Sequence, residues 1–87
     1  MIRITTQQEQ GYTVVIIDGL VEVEDLAEIL RVRTSLTGEV VLNLRGVAAC
    51  VDEGVHILRA WLDAGAGLQD ATLYLRMILD QTQHAKE

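Results

Sequence analysis

The chain is 87 residues long, 49% hydrophobic and 23% charged, the make-up of one globular domain, which excludes a disordered chain and a multidomain enzyme. Thirteen acidic residues against seven basic leave a formal net charge of −6, so neither nucleic acid nor an anionic membrane is expected as a partner, because both are bound through Lys and Arg density. Proline and phenylalanine are absent and the aromatics are Tyr12, Trp61 and Tyr74, so the core is expected to be aliphatic and the turns to rest on Gly and polar residues.

Residues 1–6 alternate weakly, with Ile2 and Ile4 on one face, and predict a short strand. Gln7-Gln8-Glu9-Gln10-Gly11 predicts a hairpin connection. The β-branched run 12–17 predicts its second strand, punctuated by Asp18-Gly19. Val23, Leu26, Ala27 and Leu30 recur at helical spacing and predict a helix over about 24–36. Acidic residues crowd its start, Arg31 and Arg33 stand in its latter half, and Gly38 is its stop signal. Residues 40–44 read as a central buried strand, Arg45-Gly46 as a turn, and 47–51 as a small apolar segment crossing the top of the sheet. Asp52 is placed to cap a second helix, with Val55, Leu58, Trp61 and Leu62 on its apolar stripe and Gly65 and Gly67 at its end. Residues 71–76 alternate and predict a fourth strand; 77–83 predict a short terminal helix, and 80–87 a tail that frays. The expectation is one α/β domain over 1–87. It has a small mixed four-stranded sheet, a β-hairpin followed by parallel βαβ units, and two main helices on one face.

Cys50 is the only cysteine, so no intrachain disulfide can form and a reducing compartment is expected. Residues 1–10 are mostly polar and no apolar stretch approaches the ~18 residues of a membrane helix, so the expectation is a cytoplasmic protein without a membrane span.

Three stretches carry a resemblance to a known family. Val14-Val15-Ile16-Ile17-Asp18-Gly19 is similar to the second strand and following glycine of STAS domains, the anti-sigma factor antagonists and their relatives. Val40-Val41-Leu42-Asn43-Leu44-Arg45-Gly46-Val47 resembles the family's central strand, where an acidic residue usually stands in place of Asn43. Val51-Asp52-Glu53-Gly54-Val55, with Leu58, resembles the loop and helix start usually written Asp-Ser-x-Gly. The resemblance covers about 2–79 and implies a STAS-like fold, shortened after 71–76 where family members continue into a further helix. It also implies docking to a protein partner, an anti-sigma factor kinase-like protein or another STAS component. In classical members a Ser or Thr at the position of Asp52 is phosphorylated by that partner, and the phosphate breaks the complex. Here the position holds Asp52, and no hydroxyl lies between Thr37 and Thr72, so phosphorylation at this site is not expected.

Asp52, His56, Arg59 and Asp63 follow i, i+4, i+7, i+11 and share one polar helix face. The bland reading is a solvated face laced with ion pairs. The functional reading, which the resemblance implies, is a partner-docking face that also includes Glu53 and Gly54. Asp52 and Glu53 likewise read either as a helix cap or as a permanently anionic surface, although a carboxylate mimics a phosphate poorly. His56 has no Cys or second His near it, and His84 lies in the tail, so neither a metal nor a cofactor is expected. With no nucleophile–base spacing and no Gly-rich phosphate loop, no catalytic residue is expected either. Cys50 reads as a buried inert thiol or as a reactive one beside a helix start, where Asp52 and Glu53 would raise its pKa. Ile29, Val32 and Leu36 widen the apolar girth of the first helix, which reads as wider burial or as an exposed strip for homodimerisation. The leading expectation is a non-enzymatic protein-interaction and regulatory module; the alternative is a degenerate STAS-like structural protein acting as a homodimer.

Overall fold

A computed structural model describes residues 1–84 in backbone and residues 1–79 in side chain. Of the tail expected to fray, 85–87 lie outside the described residues, as do all side chains from 80 onward.

Strand β1 (Ile2–Glu9) turns through Gln10-Gly11 into β2 (Tyr12–Val21), and the two pair antiparallel over eight residues without a register break. A 3-10 turn over Val23–Asp25 leads into α1 (Leu26–Ser35). Then follow β3 (Val40–Cys50), α2 (Asp52–Asp63), β4 (Gly67–Ala71) and α3 (Leu73–His84). The sheet order is β1-β2-β3-β4, with β2, β3 and β4 mutually parallel. The expected α/β class, mixed four-stranded sheet and two main helices are present among the described residues, with α3 in the place of the expected terminal helix.

One face of the sheet is buried. Val15 and Ile17 of β2 and Leu42, Leu44 and Val47 of β3 form a single cluster with Ile29 of α1, Val55, Leu58 and Trp61 of α2, and Leu75 and Leu79 of α3. All three helices therefore cover the same face; for α1 and α2 this follows from two parallel crossovers stepping in one direction across the sheet. The cluster is aliphatic except for Trp61, whose ring is capped by the Arg33 guanidinium 5.8 Å from its centroid, within the range of a cation–π contact. On the other face, Asn43 ties strands together: its Nδ2 donates to Gln69 Oε1 at 2.9 Å, and its Oδ1 accepts from the Arg45 backbone N–H at 3.1 Å.

Several local expectations are corrected. The strands do not stop at Asp18-Gly19 or at Arg45-Gly46, and 47–51 do not cross the sheet. Both strands run on with irregular register, breaking between Ile16 and Asp18 and again between Gly19 and Leu20. Gly46 is in mid-strand because a Cβ there would fall on the Asp18 carboxylate of the neighbouring strand. It marks a close approach rather than a turn. The fourth strand is not 71–76 but Gly67–Ala71, and α3 starts at Leu73, four residues before the expected helix. Six residues of alternation were outweighed by Leu75 and Leu79, which at i, i+4 are both buried while Leu73, Tyr74 and Met77 are exposed. Thr72 starts that helix: its carbonyl accepts the first intrahelical bond from the Arg76 N–H at 2.9 Å, and its Oγ1 accepts from the Leu75 N–H at 3.2 Å, which satisfies one of the helix's orphan donors.

The α1 residues sort clearly. Ile29 is fully buried, and Val32 and Leu36 pack against the core, so these three side chains form no exposed strip. Of the apolar stripe expected for this helix, Ala27 and Leu30 are exposed, Leu30 being the large one. Ile29→Ala should therefore lower unfolding free energy by about 2–5 kcal/mol, while Leu30→Ala should change it by less than about 0.5 kcal/mol. Urea unfolding of the two variants measures both; equal effects would refute this assignment of inside and outside.

Candidate functional site

The ends of β2 and β3 and the start of α2 meet at one end of the sheet. Parallel strands bring their carboxyl ends there together, the place where open α/β sheets usually carry their sites. The junction is pinned by the Val51 N–H, which donates to the Val21 carbonyl at 3.0 Å. Val51 has extended backbone angles and is the N-cap, and Asp52 is the first helical residue, so the expected Asp52 cap is displaced by one position. No side-chain oxygen caps the helix. Asp52 and Glu53 instead lie in the first turn, where their charges complement the positive end of the helix dipole.

Gly54 governs how closely this turn approaches the sheet. It is buried, and a Cβ there would lie 2.6 Å from Cys50 Sγ and 3.0 Å from Val21 Cγ1. Cys50 beneath it is only partly exposed. Burial, and secondarily the Asp52 carboxylate, pushes its thiol up to about 11. The thiol is thus protonated at neutral pH, which is the inert one of its two readings and removes the nearest nucleophile from chemistry.

The surface around this turn is acidic and apolar together. Leu20 is 49% exposed and Val23 64%. Leu20, Val21, Glu22, Ala49, Cys50 and Val51 line a shallow depression of about 280 Å³. Glu22, Glu24, Asp52 and Glu53 are all exposed. Two hydrogen bonds hold the entry to this edge: the Glu22 N–H donates to Asp25 Oδ2 at 2.9 Å, and the amino group of Met1 donates to Glu22 Oε1 at 3.0 Å. Asp25 itself is buried.

The proposed helix face is only partly a surface. Asp52, His56 and Asp63 are exposed, but Arg59 is 6% exposed. Its guanidinium reaches between α2 and α3, with Nε donating to Asp63 Oδ1 at 3.3 Å and Nη1 to the Leu79 carbonyl at 3.5 Å. Arg59 therefore tethers α3 to α2 and is removed from the docking face. The sequence held a signal for this: Val55, Leu58, Arg59 and Leu62 occupy i, i+3, i+4 and i+7, the template of a buried stripe. Of the exposed apolar pair, Leu20 lies beyond Asp18-Gly19, where the strand is expected to end, and Val23 is expected on the apolar stripe of the first helix but is exposed.

Among the described residues no group of three or more His, Cys, Asp or Glu is placed to hold a metal ion, and no helix is long and apolar enough to cross a membrane. In comparison with known proteins, no family model and no curated protein matches the chain.

Two measurements test this geometry. Gly54→Ala gains about 1 kcal/mol of helix propensity, yet it should lose about 1–3 kcal/mol net through the clash. In a Cys50→Ala background the loss should shrink by at least about 0.5 kcal/mol; an unchanged cost in the double variant would mean that Sγ is not the obstacle. The raised thiol pKa predicts alkylation by iodoacetamide at pH 8 on the order of 100-fold slower than for an ordinary thiol. The unfolded thiol ionises first, so this group's contribution to stability is present below pH 9.0 and is lost as pH rises toward 11. A half-maximal alkylation rate near pH 9 would contradict the burial.

Proposed function

We propose that the chain is a non-enzymatic protein-interaction module with a regulatory role, of the kind STAS-like domains represent, and that it docks a protein partner at the junction of β2, β3 and α2. The observation that carries this reading is the pairing of two exposed apolar side chains, Leu20 and Val23, with the exposed carboxylates of Glu22, Glu24, Asp52 and Glu53. The Glu22 carboxylate is already paired with the Met1 amino group at 3.0 Å, and an apolar centre beside the remaining carboxylates of Glu24, Asp52 and Glu53 suits a partner surface with an apolar knob and basic groups. His56 extends the surface by one helical turn, and Gly54 sets its height above the sheet. An anti-sigma factor kinase-like protein or another STAS component would fit as partner.

The absence of a hydroxyl between Thr37 and Thr72 supports a surface whose charge a kinase does not switch, with Asp52 holding one fixed negative charge. The high pKa of Cys50 supports binding rather than thiol chemistry at this junction. A single unpaired thiol suits a reducing, cytoplasmic setting. Homodimerisation through α1 has less support, since Ile29 is committed to the core.

The test is capture of a partner from native extract, followed by substitution of the surface. Leu20→Glu combined with Asp52→Lys should weaken binding of the captured protein at least about tenfold, and rising salt should weaken it for the unaltered chain. Thr34→Lys, on the exposed side of α1, should leave it unchanged. The thermal midpoint should stay within about 2 °C for Thr34→Lys and fall by no more than about 10 °C for the Leu20/Asp52 variant, whose Lys loses the dipole contact of Asp52. Undiminished capture by the Leu20/Asp52 variant would end this reading.

A further inference from the structure

The β1 edge of the sheet is open. Its eight residues contain no proline, glycine or bulge, and their register with β2 is unbroken. From Thr5 to Glu9 every residue is exposed, so the strand projects past the helical layer. Natural sheets usually blunt such an edge by shortness, bulges, proline or charge. The opposite edge, β4, is short and has Asp70 held between Arg45 and Arg76 at 3.9 and 3.8 Å. On β1 the only charges are Arg3 and Glu9, at opposite ends.

We infer that β1 pairs antiparallel with β1 of a second copy of the chain, joining two sheets into one of eight strands. Residues directly opposite in an antiparallel pair lie on the same face. Keeping the helices of both copies on one side requires odd residues to face odd ones, so the numbers of each facing pair sum to an even value. Among such registers, the one summing to 12 sets Arg3 against Glu9 of the other chain and Thr6 against its own counterpart, with Thr5 facing Gln7. Registers of 10 and 14 set Arg3 against Gln7 or Gly11. The two-fold symmetry makes the Arg3–Glu9 contact twice.

Both charges are available. Among the described residues neither Arg3 nor Glu9 forms an ion pair. Arg3 stands opposite Asp18 in β2, but that carboxylate lies over Gly46 toward β3. Strand pairing alone buries less than a standard interface, so the dimer is a weak one.

Sedimentation of the full chain from about 5 to 500 μM measures it. The unaltered protein should associate reversibly within that range. Arg3→Glu and Glu9→Arg, each placing like charges together twice, should each weaken association about tenfold or more. The double variant should restore it to within about threefold, although it carries the same Glu beside Asp18 as the single Arg3→Glu variant. An equimolar mixture of the two single variants should associate as the unaltered chain does, because only the mixed pair matches charges. Circular dichroism of each variant confirms folding. A monomer across the whole range, or a dimer indifferent to the charge exchange, overturns the proposal.

Discussion

The close seating of the first turn of α2 on the ends of β2 and β3 organises the functional end of this molecule. With no side chain at Gly54, the helix descends until Cys50 Sγ and Val21 stop it. That depth buries Val55 and Leu58 in the core. It also keeps the thiol half out of water and leaves Asp52 and Glu53 at the rim, where the helix dipole favours their charge. A larger residue would lift the turn, and the hydrophobic stripe of α2 would leave its register with the sheet. One missing Cβ thus links packing, thiol chemistry and surface charge.

The sequence was most legible where one period ran long enough to exclude the other. The β-branched run of β2 and the stripe of α2 each showed a period that burial then enforced, whereas the Val23, Leu26, Ala27 and Leu30 stripe expected of α1 is mostly exposed and the helix is rotated to bury Ile29 instead. The errors share a cause. Asp18-Gly19 and Arg45-Gly46 carried turn chemistry, yet the sheet uses these positions for register shifts and for a close approach of strands, which only the neighbouring strand reveals. Residues 71–76 satisfied both periods over a short window. The choice fell to Leu75 and Leu79, whose common face meets α2. Arg59 was misplaced because a charge is read as exposed, whereas its long stem is buried and its head finds Asp63 and a backbone carbonyl. Of the candidate site, the acidic start of α2 was legible from residue types alone; of its apolar half, Leu20 was hidden behind the glycine after Asp18 and Val23 within the expected helical stripe.

The proposed docking surface would take its character from the same acidity that disfavours binding to nucleic acid. A net charge of −6 spread over 87 residues disfavours self-association through that end, because two such rims would repel. The mixed charges of β1 carry no such penalty. The two proposed surfaces would therefore take different partners, one with basic groups and the other an identical strand.

The strand order has a consequence for how the molecule is made. Each strand lies beside the strand that precedes it in the chain, so no pairing skips a strand. The β1–β2 hairpin is local and costs little loop entropy, whereas the parallel pairings join residues as far apart as Thr13 and Val40 or Val41 and Gly67 and form more slowly. During synthesis the β1–β2 hairpin can form first, then accept α1 with β3, then α2 with β4, with the burial of Leu75 and Leu79 last. The sheet can grow from one side only, in the direction of translation, and each added unit covers the apolar edge its predecessor left open.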